Sequence, residues 1–440
     1  MEKNEETKIE PTQAAIERRG LKLLSSARYF FRNLGPGLIT GAADDDPSGI
    51  STYSTAGASL GYGMLWTALF SLPLMTAVQL MCARIGLVSG RGLASVLRRF
   101  YPRSLLWFAC ALVFVANTVN IAADLGGMAE AAELLTGLPS FIFVPIFTVI
   151  ILLLLIFASY RNIARIFKWL TLVLFAYVGS AILAHPNWAE VLRATFLPKI
   201  SLDSGYLMTL VAILGTTISP YLFFWQAAEE VEEEKSMGRM TVGHRMGASR
   251  VELKDARNDV VFGMSISVVV FYFIILTTGA TLYKAGLRDI QTAREAAEAL
   301  RPLAGDAAYI LFAIGLIGTG FLGVPVLAGS AAYAISEAGA WRAGINEKPR
   351  MAKKFYSVVV FSMLAGMVLE YSGVNAIKML FTAAVVNGLL APPLLVIIMM
   401  ISNNPRVMGE HVNGRLLNLL GALAILVMGG AAIATLVSLI

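Results

Sequence analysis

The 440-residue sequence predicts an all-α integral membrane protein: two inverted five-helix repeats, each opening on a broken helix, and an eleventh helix after them. Three observations lead there. Hydrophobic residues make up 57% of the chain and charged residues 15%, well below the ~25% charged residues of ordinary soluble domains. Eleven apolar stretches have the ~20 residues needed to cross a ~30 Å hydrocarbon core. The first and sixth of them are interrupted near their middles by proline.

The spans fall at 34–58, 62–86, 104–134, 140–158, 162–184, 205–228, 258–283, 307–336, 355–373, 376–400 and 415–438. The first 33 residues are polar, and no small-residue cleavage site follows the first apolar stretch, so a secretory signal peptide is not expected. Cys82 and Cys110 lie inside apolar stretches, which argues against a disulfide framework. With the N-terminal tail in the cytosol, the tail and the even-numbered connections hold 28 of the 35 Lys and Arg. The positive-inside rule then puts the C-terminus outside a cell membrane, taken as a prokaryotic plasma membrane. That bias explains the net charge of +6 without invoking nucleic acid as a partner. Trp66, Trp107, Trp169, Trp188, Trp225 and Trp341 read as interfacial anchors. The expected division is a cytosolic tail over 1–33, a first repeat over 34–184, a second over 205–400 and the final helix over 415–440, in a monomer surrounded by lipid.

The two interruptions carry the chemistry. Asp46-Pro47-Ser48-Gly49 breaks the first span, and the sixth is broken around Pro220, between Gly215 and Tyr221. Proline cannot donate to the helical ladder and clashes with the carbonyl four residues earlier. Because five spans separate the two breaks, the broken helices enter from opposite sides. Substrate sites of secondary transporters lie where such unwound backbones meet. Freed carbonyls in a bilayer must line a polar cavity or meet a cation. A carboxylate beside them makes a cation site, and Asp46 is the candidate ligand. Successive helical residues point ~100° apart, so Asp44, Asp45 and Asp46 are not all expected to face one ion. Asp45 is assigned either to the support of the site or to the cytosolic permeation path, with Asp44 the weaker candidate.

The stretch GPGLITGAADDDPSGISTYSTAGASLGYGMLW resembles the first-span signature of the Nramp divalent-metal transporters, which reads GPG, DPGN and AGAxxGY. Their second signature, GAxxMPH, stands here as Gly215-Thr216-Thr217-Ile218-Ser219-Pro220-Tyr221. The resemblance covers most of the chain after about residue 30 and implies a LeuT-type fold. In the family's manganese and iron transporters, the Asp and Asn of the first motif bind the metal, completed by a carbonyl and the Met thioether of the second. Asp46 matches the Asp, but Gly49 replaces the Asn, Thr216 the Ala that supplies the carbonyl, and Ser219 the Met. A thioether suits soft transition metals, whereas hydroxyls and carboxylates suit Mg²⁺ and Mn²⁺. Shorter side chains imply a wider, wetter cavity, and Mg²⁺ keeps several waters while touching one or two carboxylates. The pattern is similar to the Nramp-related magnesium transporters. Mg²⁺ and Mn²⁺ are the implied substrates, with no cofactor. In the tenth span Thr382 and Asn387 are polar. The family places a contact nearby, and helix–helix hydrogen bonding accounts for Asn387 equally well.

The family's proton pathway uses a His that stands here as Tyr221, a poor proton carrier near neutrality. It also uses an Asp and a Glu on the third span. Asp124 matches the Asp, and Gly127 stands where the Glu would be. Asp124, with Asn117 and Asn120 on the same face, reads as a hydrogen-bond network rather than a relay, so proton coupling is expected to be lost. Potential alone suffices: a divalent ion moving down 100 mV gains roughly 4.6 kcal/mol, about a thousandfold accumulation. The acidic run Glu229 to Glu234 is read as a solvated helix end, the alternative being a funnel for departing cations.

A proton-coupled Mn²⁺ or Fe²⁺ transporter remains the alternative function. A sodium-coupled amino-acid transporter would find Asp46 repelling its substrate's carboxylate, and a channel would need a ring of filter segments. The connections hold no nucleophile–base pair, so no enzyme is expected.

Overall fold

The computed structural model describes residues 35–157 and 172–438. The N-terminal tail, the basic connection 161–168 and Trp169 lie outside the described residues, as does the beginning of the fifth span.

The described residues are helical throughout their ordered elements. The first span is two helices, α1a (Pro36–Asp44) and α1b (Pro47–Leu60). Then come α2 (Trp66–Ser89), α3 (Arg103–Thr136), α4 (Phe143–Phe157) and α5 (Ala176–Leu183). The sixth span is again two pieces, α6a (Ser204–Thr217) and α6b (Pro220–Ser236). It is followed by α7 (Arg250–Thr278), α8 (Ala308–Ala338), α9 (Lys353–Glu370), α10 (Ala376–Ser402) and α11 (Arg415–Ser438). Among the described residues eight helical stretches are long and apolar enough to cross a membrane. The broken first span, the short described part of the fifth, and α9, whose 18 residues include Lys353, Lys354 and Glu370, make up the rest.

The breaks are shorter than the sequence suggests and match each other closely. Asp45 ends α1a at φ −87°, ψ 52°, Asp46 is extended at ψ 173°, and Pro47 starts α1b. Ile218 ends α6a at φ −114°, ψ 62°, Ser219 is extended at ψ 133°, and Pro220 starts α6b. The residue before a proline is driven out of the helical region, and proline's fixed φ suits the first helical position. Two residues unwind in each span. Ser48 and Gly49 are already helical, which corrects the four-residue break expected there.

The broken helices run through the middle of the bundle. Span 6 is almost wholly enclosed, and the third helices of the two halves, α3 and α8, make the most extensive helix pair. α1a lies on α7 with almost no side chain between them: a Cβ on Gly37 would come 2.6 Å from the Val260 nitrogen, and Gly41 packs directly on Gly263. Gly215 of α6a meets Ala384 and Gly388 of α10 in the same way. Small residues at such crossings let membrane helices approach to backbone contact. α4 and α11 stand outermost, turning Leu153 and Leu426 outward.

Two expectations need correcting. Trp225 is not interfacial: it is fully buried and packs edge-on against Tyr333. The acidic run is not a solvated end. α6b continues through it to Ser236, and Glu229, Glu230, Glu232 and Glu234 are buried, with Lys235 and Arg239 paired to Glu232 and Glu234 at 2.6 and 3.0 Å. The connection after it is therefore short, and Arg245 ties it down by donating to the carbonyls of Gly90, Arg239 and Met240.

Candidate metal site between the broken helices

Asp46 sits at the N-cap of α1b. One carboxylate oxygen, Oδ1, accepts from the Gly49 amide at 2.7 Å and the Ser48 hydroxyl at 2.8 Å. This is the side-chain cap that Asp provides at a helix start. The other oxygen, Oδ2, lies 3.2 Å from the Tyr221 hydroxyl of α6b. Tyr221 also reaches the Ala43 carbonyl at 2.9 Å, in the last turn of α1a. Asp46 is 1% exposed.

Ser219 holds the matching position in the sixth span and does the opposite work. It makes no N-cap bond. Its hydroxyl points back to the carbonyls of Gly215 at 3.0 Å and Thr216 at 2.6 Å. A hydroxyl that donates keeps its lone pairs, so Ser219 Oγ still has oxygen to offer a cation. One break thus presents an anion held by an amide and a hydroxyl, and the other presents carbonyls held by a hydroxyl.

Gly49 brings the two halves together. A Cβ there would lie 3.2 Å from the Asp44 carbonyl and 3.3 Å from Thr216 Oγ1. In this conformation the space freed by glycine is taken up by those two oxygens, and the wider cavity expected from Gly49 is not open. Gly323 of α8 closes the other side, where a Cβ would come 2.9 Å from Asp46 Cβ and 3.8 Å from Asp124 Oδ2. Asp44, Asp46, Asp124, Thr216, Ser219, Tyr221 and Asn387 are all at most 1% exposed. These side chains are closed off from solvent in this conformation.

The remaining residues singled out in the sequence divide. Asp44 and Asp45 both turn to Ser267 of α7, whose hydroxyl is 2.7 Å from Asp44 Oδ2 and 3.3 Å from Asp45 Oδ1. Asp44 is as buried as Asp46. Asp124 accepts from the Ser48 amide at 3.2 Å. It therefore belongs to the break, and the expected network with Asn117 and Asn120 is not formed, since Asn117 donates instead to the Leu327 carbonyl. Asn387 lies buried beside Gly388, on the turns of α10 that pack against Gly215, and neither amide atom has a partner among the described residues. Thr382 is not brought to the site: it is exposed and bonds its own helix at the Lys378 carbonyl, 2.7 Å away. Five positions separate it from Asn387, about 140° around the helix.

Sequence reasoning missed Ser267, Gly323 and Asp259. Asp259 of α7 caps the start of α1a, accepting from the amides of Gly35, Gly37 and Leu38 at 3.0, 2.6 and 3.2 Å. The available signal was the last acid of the charged start of α7, at the edge of its apolar stretch, but its partner lies 224 positions away.

Residues 37–438 match the family described as natural resistance-associated macrophage protein-like, Nramp. The chain belongs to the Nramp family. It is 28% identical to the divalent metal cation transporter MntH of Deinococcus radiodurans over 70% of this chain and 71% of that one. It is 27% identical to the MntH of Yersinia pestis over 92% and 95%. Among solved structures it is similar to the Eremococcus coleocola manganese transporter, at TM-score 0.74 and 20% identity over 94% of this chain and 87% of that one. It is also similar to Mhp1, a nucleobase-cation-symport-1 family transporter, at TM-score 0.58 and 14% identity over 92% and 90%. The LeuT-type fold of this Nramp-family chain agrees with the sequence expectation.

Proposed function

We propose that this Nramp-family protein carries divalent cations across a membrane by alternating access, with Mg²⁺ and Mn²⁺ as substrates. The cation is held beside Asp46 with much of its water retained. The observation that carries the reading is the single carboxylate oxygen Asp46 Oδ2. It lies between the two broken helices, 3.2 Å from the Tyr221 hydroxyl, while the Asp44 carbonyl and Thr216 Oγ1 meet at Gly49, whose amide holds Oδ1. An all-oxygen set with no thioether favours Mg²⁺ and Mn²⁺ over soft metals. The printed names of the relatives, divalent metal cation transporter and manganese transporter, agree with the cation class.

With these groups buried, loading a hydrated cation requires the packing at Gly49 and around Asp46 to open. Movement is driven by the membrane potential and not by protons, because the phenol at Tyr221 replaces the family's histidine. The first repeat over 34–184 and the second over 205–400 rock against each other. The tail lies in the cytosol and the C-terminus outside, as the Lys and Arg bias requires.

One observation favours a second reading, a proton-coupled Mn²⁺ or Fe²⁺ transporter. Asp124 Oδ2 is fully buried and has no partner among the described residues, and Asp124 touches the break, as a proton acceptor would. The two readings separate in liposomes loaded with a pH dye and offered Mg²⁺, Mn²⁺, Ca²⁺ or Cd²⁺ under an inside-negative potential. Mg²⁺ and Mn²⁺ uptake without acidification supports the first. Exclusion of Mg²⁺, or acidification that tracks metal entry, supports the second.

A further inference from the structure

Asp46 does not exhaust the polar groups beside the break. On α3, Asn117, Asn120 and Asp124 are all 0% exposed. At ~100° per residue they occupy an arc of about 60° on one face. One amide of this group donates to the Leu327 carbonyl of α8 at 2.8 Å, and one carboxylate oxygen accepts from Ser48. The others, Asn117 Oδ1, both amide atoms of Asn120 and Asp124 Oδ2, have no partner among the described residues.

Stranding a buried polar atom costs roughly 1–3 kcal/mol, and buried polar groups in folded proteins are nearly always satisfied by protein or by ordered water. An apolar residue at 120 would avoid that cost. The column also begins at the ion site. The bare backbone of Gly323 faces Asp46 Cβ and Asp124 Oδ2 together, and Leu327, which receives Asn117, is one turn further along α8. Three acceptor oxygens and one donor therefore descend α3 from the level of Asp46, over about two helical turns. Metal-bound waters are strong donors and need acceptors, which this face supplies.

We propose that Asn120, with Asn117 and Asp124 on either side, holds the waters that stay on the cation, and so selects Mg²⁺ through its hydration shell. This rests on the Mg²⁺ reading above and adds a specificity residue to it. Asn120 does not touch the metal. It positions water that does. Mg²⁺ gives up water reluctantly, so loss of this shelf should penalise Mg²⁺ more than Mn²⁺.

The test is paired Mg²⁺ and Mn²⁺ uptake by wild type, Asn120→Leu, Asn120→Ala and Asn120→Gln in liposomes, with melting curves of each. For Asn120→Leu and Asn120→Ala, Mg²⁺ uptake should fall about tenfold, the cost of about 1.4 kcal/mol, with a smaller loss for Mn²⁺. Asn120→Gln should recover much of the ratio. The Leu variant should melt no lower than wild type, since it removes stranded groups. An unchanged Mg²⁺ to Mn²⁺ ratio in a folded Leu or Ala variant overturns the proposal and leaves an amide that only packs helices. A wild type that carries Mn²⁺ but no Mg²⁺ overturns the Mg²⁺ reading itself, and this inference with it.

Discussion

Tyr221 Oη stands 3.2 Å from Asp46 Oδ2 and 2.9 Å from the Ala43 carbonyl. One phenol of α6b thus touches the carboxylate of the first break and the frayed end of α1a together. A histidine here could exchange a proton near neutrality, whereas a phenol holds its own. Replacing Tyr221 by His should therefore make uptake pH-dependent between about pH 5 and 8. Uptake rates measured across that range should vary for Tyr221→His and stay flat for wild type and Tyr221→Phe.

Ser219→Met should shift preference toward soft ions. The thioether adds a soft ligand, so the ratio of Cd²⁺ to Mg²⁺ uptake should rise. The same change removes the donor to the Gly215 and Thr216 carbonyls. Losing hydrogen bonds of this kind costs about 1 kcal/mol each, so the melting temperature should drop modestly.

Asp259→Ala should free the start of α1a. Three amides lose a charged acceptor, each such bond being worth roughly 1.5–3 kcal/mol. A cysteine placed at Thr40, which is buried and donates to the Pro36 carbonyl and Gln226, should then react faster with a water-soluble reagent. The native Cys82 and Cys110 are buried and give little background.

Gly323→Ala should abolish uptake by pressing a methyl against Asp46 Cβ at 2.9 Å. Gly430→Ala in α11, where a Cβ meets nothing within 4 Å, should transport as wild type does. Equal transport by both would remove Gly323 from the site.

The fold was largely legible because membrane helices announce themselves by length and apolarity, and because two prolines fall at equivalent points of two spans. Asp46 was legible for a related reason, as a carboxylate next to one of those prolines. Its surroundings were not. Asp259, Ser267 and Gly323 act across 221 or more positions or through a missing side chain, and local pattern carries neither kind of information. Thr382 misled because a threonine in a membrane helix can satisfy itself on the carbonyl four residues back. The run Glu229 to Glu234 misled because its charge suggests water, while its helix is packed among neighbours that bury four of the five acids.

The most direct measurement is potential-driven Mg²⁺ uptake into liposomes by wild type and by Asp46→Ala, each shown to be folded by its melting curve. Saturable uptake by wild type that vanishes in Asp46→Ala is the expected result. Mg²⁺ uptake that persists at the wild-type rate without this carboxylate would contradict a cation site at the break.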